Sequence, residues 1–148
     1  MAAIKRVGKG ALAGVLVAAM WYGILVARHI WFYADYIVGD LKVSQPFMGE
    51  RKVYALSVNG QEVGEVSELD GWFIDRHYAY GTLQAGLAGG TAYFLFDCRT
   101  LRFEVFVDLP AFAAALVPLR LAQRNFMSGE NVTRMRYNQR LFSPRCEE

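Results

Sequence analysis

The sequence is poor in the residues that most often carry metal or redox chemistry. Its 148 residues include only two cysteines and two histidines. Cys98 and Cys146 lie far apart and form neither a metal-binding spacing nor a Cys-x-x-Cys redox pair. No histidine repeat or acidic calcium loop is present, and the glycine-rich stretch 86–90 lacks the lysine of a phosphate-binding loop. We therefore expect no metal site and no cofactor.

The sequence also lacks a strong excess of charge of either sign. The formal net charge is +2, and Lys5, Arg6 and Lys9 alone contribute +3 at the N-terminus. Residues 40–148 carry 12 basic and 13 acidic side chains, which leaves −1. A near-neutral chain of this kind gives no reason to expect nucleic acid as a partner.

The two cysteines permit two interpretations. In an oxidising compartment they can form a disulfide, which would tie the C-terminal end to the body of the domain. Otherwise Cys98 is a small buried apolar residue in a strand, which is common for a lone cysteine.

What the sequence has in abundance is apolar residues at its N-terminal end. Residues 10–27 form an uncharged run of 18 residues after a basic lead, residues 1–9. As a helix, that run would cross most of a bilayer core. We predict an uncleaved transmembrane signal anchor over residues 10–38, since the run exceeds a usual signal peptide and no cleavage site follows it.

Polar and aromatic residues follow the uncharged run and suggest where the membrane would end. The residues that we assign to the membrane interface are Arg28, His29, Trp31, Phe32, Tyr33 and Tyr36. The excess of positive charge before the run predicts a cytoplasmic N-terminus and a domain on the far side. This plan leads us to expect a single-pass protein of a bacterial inner membrane, with lipid and other envelope proteins as partners.

The rest of the chain predicts one small domain. We assign residues 39–52 to a connector, 53–142 to an α+β domain and 143–148 to a tail. Asn59-Gly60 between two β-prone runs is a strong hairpin signal, because both central residues of a type I′ turn need positive φ. A two-residue turn would place Leu56 opposite Val63 and Tyr54 opposite Glu65.

The second half of the domain predicts another hairpin and a helix. Residues 91–97 and 101–107 read as strands, with Phe103, Val105 and Val107 on one side. Asp108 can cap a helix that runs to about residue 125 and is kinked or divided at Pro118. Residues 132–142 then form a last strand or a tail. The predicted fold class is α+β: a transmembrane helix, a small antiparallel sheet of hairpins and one C-terminal helix.

A competing interpretation concerns residues 78–96, which carry no charge. Their length would allow a second transmembrane helix. Four glycines and a β-branched, aromatic pattern favour strands instead.

Two groups of polar residues are candidates for an interaction patch. The first comprises Asp75, His77 and Tyr80, in which Asp75 could orient His77 for acid–base chemistry, with Cys98 as a nucleophile. Nothing in the spacing requires such chemistry, and a surface strand with an internal charge pair is the favoured explanation of these residues. The second group is Arg134, Arg136 and Arg140, near Arg120 and Arg124, which suits an acidic partner, a lipid headgroup or an ordinary charged strand edge.

These features favour a protein that acts through contacts rather than catalysis. Our first hypothesis is a membrane-anchored accessory or assembly protein of an envelope complex. The second is an immunity-type protein that neutralises a toxin at the membrane. The third is a small membrane-tethered enzyme that uses His77 and Cys98.

Overall fold

The structure is a computed structural model that describes residues 13–24, 34–45, 53–85, 90–138 and 145–146. The chain divides into two compact units, Met1–Tyr33 and Ala34–Glu148. We describe each unit by itself.

The first unit contains helix α1, which covers residues 13–24. Among the residues that the structure describes, no helix has the length and apolar character needed to cross a membrane. The predicted transmembrane signal anchor, and the inner-membrane localisation and topology that we derived from it, are therefore wrong.

The second unit is built mainly from β-strands. Its strands are β1 Ala34–Val38, β2 Leu41–Ser44, β3 Val53–Val58, β4 Gln61–Ser67, β5 Gly71–Asp75, β6 Tyr78–Ala85, β7 Gly90–Asp97, β8 Arg102–Phe106 and β9 Glu130–Asn131. Three helical segments complete the described part: α2 Leu109–Leu116, a 3-10 helix Phe126–Ser128 and α3 Val132–Asn138. The predicted α+β class is corrected by this content, since one curled, nine-stranded sheet dominates the unit.

The sheet is antiparallel at every pair that the structure describes. One path of neighbours runs β1-β2-β3-β4-β6-β5-β9, and β7 joins it by pairing with β6 and carries β8 on its other side. Residues 34–38, which we placed in the anchor helix, form β1, and residues 41–44 of the predicted connector form β2. These two segments lie in the sheet because Ile37, Val38, Leu41 and Val43 are all buried.

The hairpin predicted at Asn59-Gly60 is confirmed. Asn59 has φ of 51° and Gly60 has φ of 79°, as a tight turn between β3 and β4 requires. The predicted register fails beyond the turn, where a β-bulge shifts the pairing by one residue. Tyr54 consequently lies opposite Val66, and both side chains are buried.

The uncharged stretch 78–96 contains strands rather than a second membrane helix. β6 and β7 pair over eight positions, from Tyr78 opposite Asp97 to Ala85 opposite Gly90. Buried side chains alternate between the two faces of this pair. Ala79 and Phe96 occupy one face, whereas Tyr80 and Leu95 occupy the other.

The two faces of the pair contribute to two apolar cores. On one face, the buried side chains come from strands β1 to β5 and β7 of the curled sheet: Ile37, Leu41, Val43, Tyr54, Leu56, Val66, Trp72, Phe94 and Phe96. On the other face, Tyr80 and Leu95 pack with Phe112 and Leu116 of α2 and with Phe126. Aromatic rings dominate this second core, which we call the aromatic core; the Tyr93 and Phe112 rings, for example, stack 5.0 Å apart.

Helix α2 begins as the sequence predicts but ends early. The Asp108 carboxylate accepts a 2.8 Å hydrogen bond from the Ala111 N–H, which confirms the N-cap. The helix stops at Leu116 instead of continuing to residue 125, because Pro118 cannot continue the backbone hydrogen bonding. The chain then crosses the aromatic core without regular structure as far as Phe126.

The C-terminal segment 132–138 forms α3 rather than a strand or a surface tail. Asn131 accepts a 2.9 Å hydrogen bond from the Arg134 N–H and so caps its first turn. Val132 and Met135 are buried on one side of the helix.

Candidate interaction surface

The candidate residues Asp75 and His77 flank the tip of the β5–β6 hairpin. Arg76 lies between them with φ of 54°, so the chain turns here instead of continuing as one strand. Arg76 contacts the Asp75 carboxylate at 3.5 Å and donates a 2.8 Å hydrogen bond to the Leu119 carbonyl. The His77 carbonyl accepts a hydrogen bond of 2.9 Å from the Cys98 N–H. These contacts hold the hairpin tip against neighbouring segments.

Tyr80 lies inside the aromatic core and cannot belong to a surface patch. Its side chain is fully buried, and its hydroxyl donates a 3.2 Å hydrogen bond to the Ala122 carbonyl. Burial raises the pKa of Tyr80, and the nearby Arg124 charge opposes that rise. The residue therefore stays neutral and anchors the segment that follows α2.

Cys98 and Cys146 form a disulfide, with their Cα atoms 5.9 Å apart. This decides between the two interpretations that the sequence left open. The thiolate is the nucleophilic form of cysteine, and a sulfur atom in a disulfide cannot form a thiolate. Cys98 therefore cannot act as the nucleophile of the enzyme hypothesis while the disulfide is intact.

Two members of the arginine group, Arg134 and Arg136, make hydrogen bonds within the described part of the chain. Arg136 donates a 2.9 Å hydrogen bond to the Gln45 side chain and lies 5.1 Å from the centre of the Tyr54 ring. Arg134, an exposed residue, donates to the carbonyls of Ser128 and Gly129. Arg140 lies outside the described residues.

The contact between Arg136 and Tyr54 attaches α3 to the sheet. Tyr54 is almost fully buried and its hydroxyl donates a 3.2 Å hydrogen bond to Glu68. Burial raises the pKa of Tyr54, the Arg136 charge lowers it, and the Glu68 carboxylate raises it further. The guanidinium thus makes structural contacts with Gln45 and Tyr54.

Most of the predicted membrane-interface residues lie outside the described residues: Arg28, His29, Trp31, Phe32 and Tyr33. Tyr36 is described and lies in β1, where it pairs with Lys42 of β2. The Lys42 ammonium is 5.7 Å from the centre of the Tyr36 ring, which is a surface cation–π contact.

The features that the structure adds are exposed apolar surfaces. In α1, seven large apolar side chains are each more than half exposed: Val15, Leu16, Val17, Met20, Trp21, Tyr22 and Ile24. In the second unit, Val105 of β8 is 50% exposed and the adjacent Val107 is 80% exposed. The alternation in the sequence indicated that these valines share a side, but it could not reveal that Val105 stays half exposed and Val107 mostly exposed.

Neither a search for metal ligands nor comparison with known proteins assigns a function to the described residues. Within the described ranges, no three His, Cys, Asp or Glu side chains come together as metal ligands would. Comparison of the chain with protein-family models, with curated proteins and with solved structures finds no match.

Proposed function

We propose that the protein is a non-catalytic accessory or assembly subunit that works through contacts with other proteins, and that α1 is its main contact. The observation that carries the proposal is the apolar surface of α1. Large apolar side chains that point in several directions around a helix are unfavourable in water, and such helices are normally covered. The partner that fits is a protein that encloses α1 with apolar side chains.

The polar candidates support the same proposal, because each has a role within the fold. Cys98 is in a disulfide, Tyr80 anchors a core segment and Arg136 attaches α3. The remaining His77 lies at a turn beside Tyr78, with the two rings 4.1 Å apart. None of these contacts assembles a nucleophile, a base and an orienting group.

The test is purification of the tagged full chain under mild conditions, with mass spectrometry of the proteins that accompany it. We would compare the wild type with a Leu16→Gln, Met20→Gln variant, which changes one side of α1 while keeping good helix formers. The control is Leu69→Gln, at a turn residue that is 79% exposed in the second unit.

We expect a partner in stoichiometric amount that accompanies the wild type and the Leu69 variant but is lost from the α1 variant. The same set of proteins with all three chains, or no stoichiometric protein with any of them, would overturn the proposal.

A further inference from the structure

The tip of the β3–β4 hairpin places an asparagine directly before a glycine at an exposed turn. Asn59 and Gly60 are both exposed, and a Cβ built on Gly60 would meet no atom within 4 Å. The last strand pair beside the turn joins Val58 to Gln61, so the Gly60 N–H lies outside the pairing of β3 with β4. Because glycine has no side chain, nothing obstructs an approach of its nitrogen to the asparagine side chain that precedes it.

The reaction open to this pair is deamidation through a cyclic imide. The Gly60 backbone nitrogen loses its proton and bonds to the Asn59 Cγ atom, and the side-chain nitrogen leaves as ammonia. Water then opens the imide. Cleavage of the bond between the Gly60 nitrogen and Cγ gives aspartate, whereas cleavage of the bond between that nitrogen and the main-chain carbonyl carbon gives isoaspartate. Water is consumed and ammonia is released, so the reaction needs no oxidant or reductant.

The pair Asp70-Gly71, which can form the same imide, shows how the fold blocks this reaction. The Asp70 Oδ2 atom accepts hydrogen bonds of 2.7 and 2.8 Å from the N–H and the hydroxyl of Ser67. The Gly71 N–H donates a 3.2 Å hydrogen bond to the Thr82 hydroxyl. The carboxyl group and the nitrogen that would have to meet are therefore both held by other partners.

Two other asparagines are restrained as well. Their side-chain oxygens accept hydrogen bonds from backbone N–H groups, at 3.2 Å for Asn125 and at 2.9 Å for Asn131. Phe126 follows Asn125 and Val132 follows Asn131, and both of these bulky residues are buried. Asn59 differs from both asparagines because the residue after it is an exposed glycine.

We propose that Asn59 is a site of spontaneous deamidation in the folded protein, with aspartate and isoaspartate as products. Aspartate tolerates the positive φ of 51° at this position, so it keeps the turn and adds a negative charge. Isoaspartate routes the backbone through Cβ and Cγ, which adds a methylene to the turn. Because the turn sets the register of β3 and β4, the longer backbone weakens the pairing beside it.

The first test follows both pairs in the folded full chain and in the chain unfolded by guanidinium chloride, at mildly alkaline pH. Peptide mass mapping locates the products, and an isoaspartyl methyltransferase with a labelled methyl donor counts isoaspartate. We expect Asn59 to convert in the folded protein at no less than about a tenth of its rate in the unfolded chain, because an exposed turn opens at little cost. Asp70 should isomerise only in the unfolded chain, where its hydrogen bonds are absent.

The control for this test is Asn59→Gln, whose longer side chain would have to close a larger ring. It should give no product at position 59 in the unfolded chain, where an effect of the substitution on the turn does not enter. Conversion of Asn59 only after unfolding would overturn the proposal. Isoaspartate that forms in the folded protein as fast at position 70 as at position 59 would also overturn it.

Hydrogen exchange of the separated products tests the effect on the fold. The isoaspartate form should exchange faster than the unmodified protein in β3 and β4 beside the turn, whereas the Asn59→Asp variant should exchange like the wild type. Equal exchange in the isoaspartate form and in the variant would contradict the effect of the longer backbone. The partner that we propose for α1 does not enter these measurements, so either proposal can fail alone.

Discussion

At the scale of single residues, Gly81 of β6 is a position where the fold leaves no room for a side chain. A Cβ added there would lie 2.7 Å from the Trp72 Cα atom, and that backbone cannot move aside as a flexible side chain would. Trp72 is itself buried directly opposite Gly81 on β5. Two packed strands therefore approach each other closely because one of them has no side chain at this point.

We predict that Gly81→Ala lowers the free energy of unfolding by about 2–3 kcal/mol through overpacking. Urea denaturation measures the change. Gly64→Ala is the matched control in strand β4, where the added Cβ meets only the Leu83 Cδ2 atom at 3.6 Å, an ordinary contact. Equal losses of stability in the two variants would contradict the close approach at Gly81.

Asp97 gives the protein a pH dependence at the turn between β7 and β8. Burial alone would raise its pKa, but hydrogen bonds from the Arg99 N–H, at 2.9 Å, and from Thr100, together with the charge of His77, lower it overall. The folded state thus holds the Asp97 proton less tightly than the unfolded chain, whose pKa is near 3.8. The contribution of ionised Asp97 to the free energy of unfolding is present above the unfolded-state pKa. It is lost as the pH falls through the pKa of Asp97 in the folded state.

We predict that Asp97→Asn flattens the acid side of the stability profile. Melting temperatures between about pH 2 and pH 6 should fall less steeply in the variant than in the wild type, because the variant has no charge to lose at this position. Parallel profiles for the two proteins would show that Asp97 does not contribute to the acid sensitivity.

At the scale of elements, the Arg136 side chain contributes to the attachment of α3 to the sheet, beside the buried Val132 and Met135. We predict that Arg136→Met costs about 1–2 kcal/mol, since it removes the hydrogen bond to Gln45 and the charge over the Tyr54 ring. Hydrogen exchange should become faster in α3 and in β3, which carries Tyr54.

The control for this prediction is Thr133→Ala, at an exposed position on the same helix. It should leave exchange in β3 unchanged. If both substitutions accelerate exchange equally, intrinsic helix stability rather than the contact with the sheet determines the behaviour of α3.

Elements also differ in how well the sequence predicts them. The Asn59-Gly60 turn and the Asp108 cap were predicted correctly, because each depends on local backbone conformation and on hydrogen bonds a few residues away. The β-bulge that shifts the register between β3 and β4 was not predicted. It places Val66 opposite Tyr54, where both are buried, and that burial depends on the rest of the sheet. The helix α3 was missed because its buried side chains require a surface supplied by distant strands.

At the scale of the whole molecule, the disulfide closes a long loop between Cys98 and Cys146. The cysteines are 48 residues apart, and the segment between them includes β8, α2 and α3. In the chain-entropy description, closing a loop of that length lowers the conformational entropy of the unfolded chain. The free energy of unfolding rises by about 4 kcal/mol as a result.

We predict that the Cys98→Ala, Cys146→Ala variant loses a large part of that amount, measured by denaturant unfolding without reductant. Reduced wild-type protein should unfold at a similar denaturant concentration. The unreduced, denatured wild type should show no reactive thiol, and a thiol reaction there would contradict the disulfide.

The candidate functional surfaces were the least predictable feature of the chain. The residues selected for their chemistry, such as Tyr80 and Arg136, have structural roles in contacts with Ala122 and Gln45. Those contacts join segments 42 and 91 residues apart, so no local pattern could indicate them. Conversely, the alternation in the sequence placed Phe103, Val105 and Val107 on one side, and the structure leaves that side partly uncovered at Val105 and Val107.

By itself, the sequence determined the local turns, the first cap of α2, the near-neutral charge and the absence of metal-binding cysteine spacings, because these depend on neighbouring residues or on composition. Only the tertiary structure decided that residues 34–38 and 41–44 form strands of the sheet, that no helix among the described residues could cross a membrane, and that Cys98 bonds to Cys146. The reason is physical: burial, strand pairing and disulfide formation depend on which distant segments meet. An apolar stretch is compatible with a membrane, a core or a partner until those neighbours are known.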